Sequence, residues 1–534
     1  MKMFQWALLL SAFLFSAGIR AQEQAPGNWF LLDLQSDGYA GLSANKAHEH
    51  LLKGKKAQTV IVAVIDSGID LEHEDLQDIL WVNEDEIPGN GIDDDHNGYV
   101  DDIHGWNFIG GANGENVNHD SYEIARLYAK YKAMFDGKDP DKLSKKERKM
   151  YDEYLEIKKT IDEKREELQG NLDLYSGIKD AINQVKELVG KEELTAEDMD
   201  SLQVDDPSLG QAVMILSNVL SQGGTVAELE EQLDGAIEYF SNSLNYGYNP
   251  DYDPRSIVGD DYSNVKERGY GNNDAEGPDA SHGTHVAGII AAIRNNNIGI
   301  DGVADHVRIM SVRAVPDGDE RDKDVANAII YAVDNGAKVI NMSFGKGYAW
   351  NKEAVDKAVK YARKHDVLLV HAAGNSSQNN DETDNFPNDT YAKRGFLGLG
   401  PKQADNWLEI GALSWKKGED APATFSNYGK KSVDVFSPGV DIYSCVPQSD
   451  YATFSGTSMA SPATAGVAAL IRAYYPEFTA QEVRQIILDS AIPQNYKVKK
   501  PGSDELVDFS ELCATGAIVN AYKALQLAEE RSKK

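Results

Sequence analysis

Three residues able to cooperate in acyl-transfer chemistry lie in short glycine-bearing contexts: Asp66 in VAVIDSGID, His282 in HGTHVAGIIAAI and Ser458 in FSGTSMASPATAGVAALI. A serine hydroxyl is a weak nucleophile until a neighbouring base takes its proton, and an imidazole does so best when a carboxylate fixes its tautomer. Each residue alone has an ordinary explanation. Ser458 could cap a helix, His282 could be a satisfied core histidine, and Asp66 could cap a neighbouring element. Together they fall at the ends of elements, beside glycines that permit close approach. Asn375 follows Ala372, Ala373 and Gly374 at the end of another apolar run. Its amide, with the backbone N–H of Ser458 at a helix start, could stabilise a developing oxyanion.

The elements that must position these groups are legible in the hydropathy pattern. TVIVAVIDSG (59–68), HVRIMSVRAV (306–315), AKVINMSFG (337–345), DVLLVHAAGN (366–375), WLEIGAL (407–413) and SVDVFSPG (432–439) are short, continuous apolar runs. Such runs predict strands buried on both faces, as in a parallel sheet. VANAIIYAVDNGA (325–337) and NKEAVDKAVKYARKH (351–365) predict intervening helices. The alternation implies a doubly wound α/β fold with a mostly parallel sheet, in which ligands bind beyond the carboxyl ends of the strands. Asp66, Ser343 and Asn375 sit at such ends.

Composition narrows the class. The chain has 534 residues and a formal net charge of −33, with 41% hydrophobic and 26% charged residues. That is globular material, and its acidity argues against nucleic acid or an anionic membrane as partner. Two cysteines, Cys445 and Cys513, exclude a disulfide-rich scaffold and a cysteine metal site. They could pair only if the fold brought them together. Residues 1–21 read as a signal peptide, with Lys2, an apolar run from Trp6 to Phe15 and a cut after Ala21. The mature chain is expected to be exported to the periplasm, cell surface or medium, without a membrane span.

Residues 121–245 break the α/β pattern. Met150, Tyr154, Ile157, Ile161 and Leu168 form a helical stripe, repeated by Leu174, Ile178, Ile182 and Val185 after a break expected at Gly170 and Asn171. Ser144 with Glu147, and Thr225 with Glu228, have the spacing of capping boxes. The segment reads as an inserted α-helical module.

The motifs resemble those of the subtilisin-like serine peptidases, the subtilases. DSG, HGTHVAG and GTSMASP stand in the family's Asp, His, Ser order, and FSNYG (425–429), VDVFSPG (433–439) and TGAIVNAYKAL (515–525) are similar to its core elements. The resemblance implies an exported serine endopeptidase acting on protein or peptide substrates, with no cofactor needed for the chemistry. Asp66, His282 and Ser458 would be catalytic and Asn375 the oxyanion donor. Substrate would lie along the Ser343, Phe344 and Gly345 edge, with Ala373 and Gly374 also among the substrate-binding residues. The alternative is a catalytically silent peptide-binding scaffold whose cleft the insertion blocks. The implied organisation is a signal peptide (1–21), a linker (22–28), a peptidase domain in two parts (29–120 and 246–528) around the insertion (121–245), and a tail (529–534). Asp66 and His282 are 216 residues apart, more than in compact family members. ATAG follows GTSMASP where many members carry HVAG, and the stretch before the first strand is shorter than the family's usual propeptide.

Two further patterns carry possible metal chemistry. His282 and His285 form H-x-x-H, but no third ligand accompanies them, so His285 reads as structural. NGIDDDHNGYVDD (90–102) places Asp93, Asp95, Asn97 and Asp101, with the Tyr99 carbonyl, at the alternate positions of an oxygen-ligand loop. These could hold a structural Ca²⁺, although His104 replaces the closing glutamate of an EF-hand.

Overall fold

The run TVIVAVID forms an interior strand, β1 (Val60–Asp66), third from one edge of the main sheet. The computed structural model describes residues 25–393 and 400–534; the signal-peptide segment lies outside the described residues. Along β1 the side chains alternate between two buried layers. Val60, Val62 and Val64 join one core cluster, Ala63 and Ile65 the other. A strand covered on both faces has no solvent side, which is why the sequence is continuously apolar rather than alternating.

The described chain divides into two compact units, Ala25–Glu123 with Asp253–Lys534, and Ile124–Tyr252. In the first, the strands in chain order are β1, β2 (Gly105–Asn107), β3 (Val307–Arg313), β4 (Val339–Met342), β5 (Leu368–Ala372), β6 (Trp407–Leu413) and β7 (Val435–Pro438). After them come β8 (Ile442–Val446), β9 (Asp450–Phe454), β10 (Ile492–Pro493), β11 (Lys497–Lys499), β12 (Leu506–Asp508) and β13 (Ala517–Ile518). Nine form one sheet in the order β10-β13-β7-β6-β5-β4-β1-β3-β2, every neighbouring pair parallel except β10 with β13. β8 and β9 make a separate antiparallel hairpin, as do β11 and β12. This is the mostly parallel α/β architecture that the apolar runs imply.

Six helices matter for the site and its support: α1 (Ser281–Ala291), α2 (Asp322–Asp334), α3 (Lys352–Lys364), α4 (Thr457–Tyr474), α5 (Ala480–Ser490) and α6 (Ala521–Ser532). α1, α4, α5 and α6 contribute to one core cluster; α2 and α3 contribute to the other. The residues between the expected linker and β1 belong to the first cluster: Trp29, Phe30, Leu31 and Leu42 are fully buried. Trp29 Nε1 donates to Val440 O (3.0 Å), and Ala521 N donates to Leu42 O (2.7 Å). This stretch is therefore part of the packed core. The expected tail is mostly helix, since α6 runs to Ser532 and Glu529 pairs with Lys55 at 3.2 Å. Cys445 and Cys513 are free buried thiols in different core clusters. Burial pushes both thiol pKa values up.

The helical unit is built around a 45-residue helix, Lys145–Val189, started by the Ser144–Glu147 capping box and ended at Gly190 with φ +73°. The break expected at Gly170 and Asn171 does not occur; the helix runs through both. An interior glycine costs only about 1 kcal/mol relative to alanine, and the packed turns on both sides offset it. Ile178, Ile182 and Val185 pack with Ile215, Leu216, Leu229 and Leu233 from helices Pro207–Ser221 and Val226–Asn242. Leu174, expected on that stripe, is 38% exposed. Arg165 closes the unit by donating to Leu244 O (2.9 Å) and Tyr248 O (2.8 Å).

Candidate active site

Asp66 is the last residue of β1 and His282 the second of α1. His282 Nδ1 lies 2.7 Å from Asp66 Oδ1, which also accepts the Ser67 N–H at 2.8 Å. The carboxylate is 2% exposed and the imidazole 38%. Gly283 makes the approach possible: a Cβ there would stand 2.0 Å from the Gly68 carbonyl oxygen and 3.2 Å from Asp66 Cβ. Burial opposes charging of the His282 ring, but Asp66, by charge and hydrogen bond, and Asp279, by charge, outweigh it. The imidazole pKa therefore lies above its ordinary value. His285 is packed instead: its Nε2 meets Ile442 O (3.1 Å) and Ala452 O (3.2 Å), its ring stacks on Phe454, and burial pulls its pKa down to about 4.

Ser458 is the second residue of α4, and its Oγ donates to Ser343 O at 3.2 Å. Ser343 Oγ returns a hydrogen bond to Ser458 O at 2.9 Å. Beneath them, Asn341 Nδ2 donates to Ser343 Oγ (2.9 Å) and Ser461 Oγ donates to Asn341 Oδ1 (2.8 Å). Asn341 and Ser461 are fully buried, so each bond matters more than it would in water. This chain of hydroxyls and amides fixes the first turn of α4 against the end of β4.

Asn375 lies three residues beyond β5, and its Oδ1 accepts from both Thr457 N (2.8 Å) and Thr457 Oγ1 (2.9 Å). Thr457 Oγ1 accepts in turn from Gly374 N (3.1 Å). With its oxygen held this way, the Asn375 amide turns its nitrogen toward Gly456. A point one Cβ away from Gly456 is 3.4 Å from Asn375 Nδ2 and 3.5 Å from Ser458 N. Two N–H donors, one from Asn375 and one from Ser458, thus flank one location at Gly456. Ser343, Phe344 and Gly345 continue from β4, and Ala373 and Gly374 from β5, the two strands being adjacent. The structure brings Asp66 to His282, Ser458 to Ser343, and Asn375 to Thr457. The hydrogen-bonding roles of Thr457, Asn341 and Ser461 were not read from sequence, although Thr457 and Ser461 lie beside Ser458 within its own motif.

The acidic loop folds differently from the EF-hand spacing. Oxygen atoms of Glu86, Asp95 and Asp102 all lie within 4.8 Å of one another. Of the expected set only Asp95 contributes a carboxylate to this cluster. Asp93 instead accepts from Asn97 N (3.0 Å) and Gly98 N (3.0 Å), and Asp101 accepts from Asn90 N (3.1 Å) and Gly91 N (2.8 Å). Asn97 donates to Asp95 Oδ2 and Asp102 Oδ2, and the Tyr99 ring is buried edge-on against Trp106, Phe108 and Tyr331. The reason is local: Asp101 has φ +55°, so the chain turns there and presents Asp102. Burial, with Asp95 adding by charge, pushes the Asp102 carboxyl up to about 6.

Residues 57–511 match the model of the Subtilase family, peptidase S8, and the chain belongs to that family. It is 41% identical over 237 residues to the thermophilic serine proteinase of Bacillus sp. (strain AK1), covering 44% of this chain and 51% of that protein. It is 37% identical over 246 residues to thermitase of Thermoactinomyces vulgaris, covering 46% and 75%. The chain thus spans about half the length of the first relative and three quarters of the second. Among solved structures, the prenylagaramide maturation protease PagA is similar at 29% identity and a TM-score of 0.37, covering 46% of this chain and 82% of that one.

Replacing Asp66 with Asn removes the main group that raises the His282 pKa while keeping side-chain volume. The His282 titration, followed by NMR of its imidazole, is expected to move to lower pH in Asp66→Asn. An unchanged titration would mean that Asp66 does not set the charge on this ring.

Proposed function

We propose that the protein is an exported serine endopeptidase that cleaves peptide bonds through Asp66, His282 and Ser458. The observation that carries this reading is the 2.7 Å contact between His282 Nδ1 and Asp66, which leaves Nε2 as the proton-accepting nitrogen. Ser458 Oγ leaves its hydrogen bond to Ser343, gives its proton to His282 Nε2 and attacks the substrate carbonyl. Asn375 Nδ2 and Ser458 N donate to the oxygen as it becomes charged. His282, now cationic beside Asp66, returns the proton to the leaving amine, and water reverses the sequence to free the acyl group. Substrate backbone adds as a strand along the Ser343–Gly345 edge, with Ala373 and Gly374 contributing to the same cleft. A silent peptide-binding scaffold would give no role to the paired donors or to the Asp66-held base.

The base must be neutral to act. Activity is therefore lost as pH falls through the His282 pKa, which the carboxylates hold above the ordinary 6.5. Ser458→Ala is expected to abolish hydrolysis with the fold intact. Asn375→Ala is expected to lower kcat about 10²–10³-fold with KM little changed, the range known for losing such a donor in subtilisins. Near-normal kcat in Asn375→Ala would remove that amide from the mechanism; hydrolysis by Ser458→Ala would overturn the reading as a whole.

We also propose a structural Ca²⁺ role for the acidic loop, now centred on Glu86, Asp95 and Asp102. All three are hard oxygen donors, as that ion requires, and gathering three carboxylates is costly without a cation. Binding only to the folded chain would raise Tm by mass action. Chelator is expected to lower the Tm of the parent chain and not that of a Glu86→Gln, Asp95→Asn double variant. Identical melting of the parent chain with and without chelator would contradict the site.

A further inference from the structure

Phe344 and Gly345 make no backbone hydrogen bond among the described residues, as a strand-addition edge requires. An unpaired edge directs a guest strand only if its register is held from outside, since a one-residue slip reverses which side chains face the site. The near end is held by the Ser343–Ser458 bonds already described. The far end is held by Lys346. Its backbone exchanges two hydrogen bonds with Phe386 (2.9 and 2.8 Å). Its side chain is 1% exposed, and Nζ reaches Glu123 Oε2 (2.6 Å), Asp322 Oδ1 (2.8 Å) and Glu320 O (2.6 Å). Beyond it, a Cβ on Gly347 would touch nothing within 4 Å, so the tether at this end of the edge is Lys346 and not its neighbour.

A lysine is almost never buried this fully without partners, and a buried ion pair is better at fixing one arrangement than at adding stability. We propose that Lys346 is a positioning residue for substrate: its buried pairing with Glu123 and Asp322 fixes the Ser343–Gly345 edge in register for strand addition. Glu123 is the last residue of the main unit before the helical one, and Asp322 opens α2. The edge is thus tied to two elements that do not touch the reacting atoms. This inference rests on the proposed peptidase reading and deepens it.

The test uses the full chain and two substrates with the same scissile residue, a single-residue ester and a peptide extended by four residues on its N-terminal side. The ratio of their kcat/KM values reads the edge, because the ester does not reach it. In the parent chain the extended peptide is expected to be strongly preferred; no preference there would refute the edge reading itself. Lys346→Met is expected to lower the ratio at least tenfold, mainly through KM, Glu123→Gln to lower it by less, and Lys346→Arg to retain most of it. A purely structural role would lower Tm and both activities together and leave the ratio at its parent value, which would overturn the proposal. Should Lys346→Met fail to fold, Glu123→Gln decides: a parent-like ratio overturns the proposal and a lowered ratio supports it.

Discussion

The hydrogen bond between Asp66 and His282 imposes the constraint from which the rest of the architecture follows. A carboxylate that is 2% exposed must be compensated where it is buried, and the imidazole does this only if α1 starts against the carboxyl end of β1. That approach needs a glycine at 283, where any side chain would collide with the Gly68 carbonyl. It also needs β1 to be immobile, which its place between β3 and β4 and its two covered faces provide. A central parallel strand is thus a rigid mount for a charged residue at its end.

Ser458 is mounted by other means. α4 is fixed at its first turn by hydroxyl and amide groups in the core, not by an ion pair. Ser461, Asn341 and Ser343 form a continuous donor–acceptor chain that ends on the Ser458 carbonyl, and Thr457 holds the oxygen of Asn375. Each group has its partner, so this polar chain rigidifies instead of destabilising. Thr457 thereby ties the turn before Ser458 to Asn375, and a disturbance of either reaches both N–H groups.

Much of this was legible in the sequence because it depends on patterns that physics makes local. Strands buried on both faces must be continuously apolar, so β1 and β3 to β7 stand out. Ser458, at a helix start, lies among small residues that let the helix pack deep in the core. The capping boxes at Ser144 and Thr225 are short-range hydrogen-bond geometry and occur where expected. What escaped depends on chain reversal or on distant contacts. Asp101 and Asp102 are neighbours in sequence, but a loop with left-handed turns at Gly91, His96, Gly98 and Asp101 brings only Asp102 into the carboxylate cluster. Gly170 resembles a helix break, yet packing on both sides carries the helix through it. Lys346 reads as an ordinary surface lysine until the fold brings Glu123, more than 200 residues earlier, against it.

In the proposed mechanism Ser458 is made nucleophilic by a neutral His282 held by Asp66. The most direct test of this step is covalent labelling by a fluorophosphonate, with the modified residue located by mass spectrometry and the rate followed against pH. The account requires one adduct, on Ser458, forming at a rate that falls in acid with the same pKa as the His282 imidazole measured by NMR. An adduct elsewhere, or labelling of Ser458 at a rate indifferent to the His282 titration, would contradict it.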